Sequence, residues 1–226
     1  MKFRLVGQAV AWFLFTAALL FVAAGTDRWA AGWSYLILTG LCGLGSGLWL
    51  ARFDPELLHQ RLASPLQPGQ TAFDKVILAI FLLLYHAWLA FMALDAVRFA
   101  WSHVPYRLRA AGAILMLIGN GVVFLACRAN TFAAPVVKIQ FERGQQVVEA
   151  GPYAVVRHPI YAGNLILMTG APLLLGSWGG LAATIALFAP LLALRAILEE
   201  RALSQGLEGY LRYAMRVRYR LIPGIW

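Results

Sequence analysis

Long apolar runs separated by short polar connections dominate the chain. Residues 5–24, 33–50, 76–94 and 108–127 each come close to the roughly 20 predominantly apolar residues that a helix needs to cross a bilayer. A last run, 160–194, is too long for one crossing, and Gly176-Ser177-Trp178-Gly179-Gly180 interrupts it. These breakers predict a tight helical hairpin of two rather short arms. The pattern as a whole predicts an all-α integral membrane protein with about six membrane segments, the C-terminal hairpin included.

The first run follows Lys2 and Arg4, as a secretory signal would, yet its apolar core exceeds the roughly 7–15 residues of a signal sequence. It is read as a retained anchor. With the N-terminus inside, the 19 lysines and arginines fall on the interior side except Arg28, Arg98, Arg107 and Arg109. That asymmetry predicts both termini in the cytoplasm and suits a bacterial inner membrane. Composition agrees: 61% hydrophobic residues, 13% charged and a mean hydropathy of +0.70 lie outside the range of a soluble domain. A net charge of +9 raises nucleic acid as a partner, but the inside bias and contact with anionic membrane lipids account for the basic loops and tail, so no nucleic-acid partner is expected. Cys42 and Cys127 sit in or at the end of apolar runs without metal-ligand spacing, and neither a metal nor a disulfide is expected.

Two parts are expected: a four-span membrane scaffold over 1–127, and a catalytic region over 128–226. Gly40, Gly43, Gly45 and Gly47 predict a small-residue packing face in the second span. His59, His86 and His103 have no acidic or basic partner at a recognisable spacing and are read as structural or interfacial. From Arg128 to Tyr153, alternating polar and β-branched residues predict a cytoplasmic loop with short extended pieces, turning at Arg143-Gly144 and Gly151-Pro152. From Arg195 onward the pattern is helical, and Arg195 and Glu199 share a helix face. Tyr210, Tyr213, Val217 and Tyr219 among arginines make a basic aromatic tail, which either lies on the membrane surface or folds back to close a pocket against His158.

No glycine-rich nucleotide loop, paired-cysteine metal site or nucleophile elbow is present. The chemistry-bearing stretch is 151–163, where Arg157, His158, Tyr153, Tyr161, Pro152 and Pro159 crowd into a polar connection just before an apolar run. The prolines hold the residue before each extended and present main-chain groups. Gln140, Gln145, Gln146, Arg195, Glu199 and Glu200 complete one polar cluster at the predicted cytoplasmic face.

Gly151-Pro152-Tyr153, then Arg157-His158-Pro159-Ile160-Tyr161-Ala162-Gly163, an apolar hairpin, Glu199-Glu200 with Leu203, tyrosines and Ile222-Pro223 follow one another in that order. In this the C-terminal part of the chain resembles the isoprenylcysteine carboxyl methyltransferase and phospholipid methyltransferase superfamily. The resemblance implies an S-adenosylmethionine-dependent methyltransferase whose cofactor pocket is formed by the cytoplasmic loop and the C-terminal helix rather than by a Rossmann domain. It implies cofactor contacts from Gln145, Gln146, Val147, Val148, Tyr153, His158, Pro159, Ile160, Tyr161 and Glu199, with Gln140 as the counterpart of a glutamine nearer the fourth span. It also implies that Arg195 faces the substrate. Leu207-Glu208-Gly209-Tyr210 stands one position off the family's pattern, which bears on the methyl acceptor more than on the cofactor.

Methyl transfer from a sulfonium is an in-line displacement that needs alignment and exclusion of water more than acid–base groups. Apolar hairpin walls suit a lipophilic acceptor that enters from the bilayer. Two other classes fit the same outline: a membrane reductase of the sterol-reductase type with a nicotinamide cofactor, and a non-catalytic membrane scaffold that keeps a degenerate pocket.

Overall fold

The computed structural model describes residues 2–226. Each apolar run is helical: α1 (Lys2–Ala24), α2 (Ala30–Phe53), α4 (Ala72–Ala93) and α5 (Tyr106–Ala129), with the short α3 (Pro55–Arg61) after α2. α6 (Pro159–Leu175) is followed by α7 (Trp178–Ala183), a π-helical turn (Thr184–Phe188) and α8 (Ala189–Gly206), which run on as one rod. A short α9 (Tyr210–Arg216) begins the tail. Five rods are long and apolar enough to cross a membrane: Phe3–Ala24, Ala30–Phe53, Ala72–Arg98, Tyr106–Ala129 and Trp178–Gly206. The sixth expected segment, α6, is apolar but only 17 residues long, at the lower limit of about 17–25 for a crossing. Val10, Leu14, Leu41, Leu83, Ile114 and Ile185 stay exposed on the outside, as a lipid-facing surface requires. The interior is filled by Leu20, Tyr35, Trp88, Met92, Met116, Met168 and Phe188.

The expected glycine face on α2 is not where helices meet most closely. A Cβ on Gly43 or Gly45 would meet open space, and one on Gly40 only Phe13 at 3.9 Å; Gly47 alone is crowded, by the Leu5 side chain. The close approach lies between α5 and α6, which run antiparallel with Gly112 opposite Gly170 and Gly119 opposite Gly163. A Cβ on Gly112 would stand 2.6 Å from the Gly170 carbonyl oxygen, and one on Gly119 2.6 Å from that of Gly163. Seven-residue spacing on both helices keeps these glycines on one seam, and small residues there let the backbones touch where no hydrophobic effect drives helix association.

The hairpin turn forms where the breakers predicted it. Gly176, at φ +92°, ends α6 by donating its N–H to Pro172 and Leu173, and the Ser177 side chain caps the next helix at Gly180 N–H. Pro172 has no N–H to give the Met168 carbonyl, and the Thr184 hydroxyl, 2.9 Å away, takes its place. Asp95, in the π-helical turn Leu94–Arg98 after α4, is buried at this end and accepts from Ser102, Ser177 and the Gly179 N–H at 2.7, 2.5 and 3.2 Å. One carboxylate thereby pins the hairpin to α4.

The turns at Gly144 (φ +58°) and Gly151 (φ +60°) are also present, each beside a short 3-10 turn. The expected extended pieces pair with no strand among the described residues. Residues 130–148 are instead held by side chains from α4 and α8, which shapes the site below.

Replacing Gly119 with valine is expected to lower stability by about 1–3 kcal/mol through overpacking at the α5–α6 seam, while Gly43→Ala leaves it unchanged or slightly raised. Thermal or denaturant unfolding in detergent checks both.

Candidate active site

The first turns of α4 and α6, the last turns of α8, the connection 130–148 and α9 enclose a cavity of about 520 Å³ at one end of the bundle, within the roughly 300–1,000 Å³ usual for small-molecule sites. Among the residues singled out from sequence, Gln145, Gln146, Val147, Val148, Tyr153, His158, Pro159, Ile160, Tyr161, Arg195 and Glu199 line it. Gln140 does not. It is 1% exposed and buttresses the connection from behind, donating to the Phe132 carbonyl (2.8 Å) and accepting from Arg143 (2.6 Å), while Gln145 Oε1 takes its backbone N–H at 2.8 Å.

Pro159 at the first position of α6 sets the helix start with His158 just before it. The His158 ring lies parallel to that of Tyr161 with centroids 5.3 Å apart. Its Nε2 is 3.2 Å from Glu200 Oε1, and its Nδ1 is 3.7 Å from Glu199 Oε2. The Tyr161 hydroxyl donates to Glu199 Oε2 at 2.5 Å. Neighbouring glutamates on α8 thus divide the work: Glu199 faces the cavity, and Glu200, 9% exposed, lies behind it.

Glu200 also gathers the tail. Arg220 Nε donates to its Oε2 at 2.9 Å, and Arg157 Nε lies 2.7 Å from Oε1 with its N–H aimed elsewhere, a contact of charge rather than a hydrogen bond. The N–H groups of Arg157 and His158 donate to the carbonyls of Tyr219 and Arg220, Arg157 Nη1 donates to the Ala214 carbonyl, and the Tyr213 hydroxyl donates to that of Tyr153 at 2.8 Å. The tail therefore folds back onto the 153–158 stretch. Burial pushes the phenols of Tyr153, Tyr210 and Tyr213 well above their ordinary value, so they stay protonated donors. Tyr210, 4% exposed, lines the cavity with a hydroxyl that has no partner.

Arg195 does not pair with Glu199, the partner its spacing suggested. It bonds Asp74 on the first turn of α4, Nε to Oδ1 at 2.8 Å, and its Nη2 donates to the Pro135 carbonyl at 2.8 Å. Asp74 is completely buried and also accepts from Gln70 Nε2 (2.8 Å) and the Val137 N–H (2.9 Å). Two guanidinium nitrogens are thereby fixed, Cζ lies 5.3 Å from the centroid of the Tyr161 ring, and Nη1, on a side chain that lines the cavity, makes no hydrogen bond to a described residue. Asp74 went unnoticed in the sequence because a single acid at a helix start reads as an ordinary first-turn residue. Arg61, Thr71, Leu78 and Phe81, also from the first half of the chain, line the cavity, so the scaffold supplies part of the wall. Ile139 seats on Gly206, where any Cβ would collide, and so docks the connection on the end of α8. His86 keeps a structural contact, Nδ1 to the Leu82 carbonyl at 2.6 Å. Among the described residues no group of histidines, cysteines and acids is placed to hold a metal.

The phospholipid methyltransferase family matches residues 108–208, from α5 through the last turns of α8. That stretch contains the 151–163 motif, the glycine seam and both glutamates. No curated protein matches the chain.

Asp74→Ala, which strands the Arg195 charge, is expected to destabilise the protein by about 3–5 kcal/mol, and the double change Asp74→Leu, Arg195→Met to recover most of that. Denaturation in detergent distinguishes the two. Glu200→Ala is expected to free the tail, read as faster tryptic cleavage at Arg212, Arg216 and Arg218.

Proposed function

We propose that the protein is an S-adenosylmethionine-dependent methyltransferase that modifies a lipophilic acceptor at the cytoplasmic face of a membrane. The observation that carries the proposal is the continuity of that cavity, from a polar mouth at the loop and tail to apolar walls at Leu78, Phe81 and Leu192 within the helices. Cofactor and acceptor can meet there in one space lined by protein.

The lining fits the cofactor's groups. Arg61 and Lys138 have no carboxylate against them among the described residues and suit a carboxylate. Glu199 keeps Oε1 open for an ammonium or a hydroxyl. The Tyr210 hydroxyl needs an acceptor, and the stacked His158 and Tyr161 rings with Val147, Val148 and Ile160 offer flat apolar surface. When bound, the cofactor supplies an electrophilic methyl group on sulfur. The protein's own contribution is to hold reactants in line, exclude water and present Arg195 Nη1, fixed by Asp74 and Pro135, to the acceptor head group.

Calorimetry on the protein in nanodiscs tests this. Saturable binding of S-adenosylmethionine, with none of a nicotinamide dinucleotide, is expected; the reverse favours a reductase, and binding of neither favours a scaffold. His158→Ala and Glu199→Ala are expected to weaken cofactor binding about tenfold or more, whereas Arg195→Ala mainly lowers turnover. Normal binding and turnover in all three variants would overturn the assignment.

A further inference from the structure

Asn164 stands three residues beyond Tyr161 on α6, about 4.5 Å farther into the bundle by helical rise. It lines the cavity, and its amide makes no hydrogen bond to any described residue. The residues lining the cavity at comparable depth, Leu78 and Phe81 on α4 and Leu192 one turn before Arg195 on α8, are apolar. α4 and α6 begin and α8 ends at the cavity end, and Leu78, Phe81 and Leu192 lie within apolar rods long enough to cross a membrane. Asn164 is half-buried, and its amide opens into the cavity among these apolar side chains, where a group that enters from the membrane can bond it.

Resting on the methyltransferase reading, we infer that Asn164 is a specificity-determining residue that binds an uncharged hydrogen-bonding group of the acceptor, such as a hydroxyl or a carbonyl oxygen, at the junction of head and alkyl tail. The amide both donates and accepts, which suits a neutral partner. An ionised group at this level would find no counter-charge of its own, because Arg195 is held by the buried carboxylate of Asp74 and its remaining Nη1 serves the head group. Leu78, Phe81 and Leu192 then flank the start of the tail. The acceptor class that follows carries an alkyl chain with a neutral polar group within about one helical turn, 5 Å, of the methylated atom.

A binding competition that needs no turnover tests this. The protein in phosphatidylcholine nanodiscs is labelled with a photoactivatable alkyl alcohol, read by intact mass, while dodecan-1-ol, dodecanoate or dodecane competes. For the wild type, dodecan-1-ol is expected to compete about tenfold better than either of the others, the size of one hydrogen bond to a buried polar group. Asn164→Leu is expected to bring that ratio close to one and Asn164→Ser to retain part of it, with S-adenosylmethionine affinity unchanged in both. An unaltered ratio in Asn164→Leu overturns the inference, and so does a parallel loss of S-adenosylmethionine affinity, which would place Asn164 at the cofactor. If the wild type binds no S-adenosylmethionine, the methyltransferase reading fails on that measurement, while the competition still decides whether Asn164 recognises a neutral polar group.

Discussion

A carboxylate buried at the end of a membrane helix is tolerable only when cations and donors surround it, and Glu200 meets that condition with groups from two distant segments. Arg157 and His158 come from the start of α6, and Arg220 from the tail. Because these partners are brought together around one side chain, the tail is drawn over the cavity and the 153–158 stretch is fixed beneath it. Asp74 does the same on the opposite wall, joining α4, α8 and the Pro135–Val137 segment. Two buried acids, each satisfied by residues remote in sequence, thus hold the walls of one chamber, while the open Glu199, Tyr210 and Asn164 groups face into it.

The helical bundle was largely legible because the bilayer demands it: spanning segments must be apolar and must satisfy their own backbone. The hairpin was legible because glycines and a serine cap punctuate the last apolar run. Loop and motif residues at the cavity were legible through their order in the chain. What escaped was pairing across sequence distance. Arg195 pointed to Glu199 by helix spacing, yet the stronger demand was the desolvated Asp74, which no periodicity reveals. The four glycines of α2 looked like a packing face because composition cannot say which side of a helix meets another; the seam on α5 and α6 uses two glycines from each helix at seven-residue spacing. Gln140 looked like a ligand contact as the counterpart of a glutamine nearer the fourth span, whereas its amide is consumed in holding the loop.

The far end of the bundle works by the same economy of bonds. Pro172 breaks the ladder of α6, and Thr184 repairs it from the facing arm, so the fault in one helix becomes a link to the next. Asp95 then ties the hairpin turn to α4. The cavity end can rely on α6 and α8 keeping their register because their distal ends are locked.

The brevity of α6 has a consequence for where the bilayer lies. At 17 residues the helix covers about 25 Å, some 5 Å less than a typical hydrocarbon core of about 30 Å. A crossing this short would bring His158 and Arg157, just before its first residue, closer to the hydrocarbon core than the ends of the longer helices. Hydrophobic mismatch of this kind thins the bilayer locally, which would lean the membrane itself toward the mouth of the chamber.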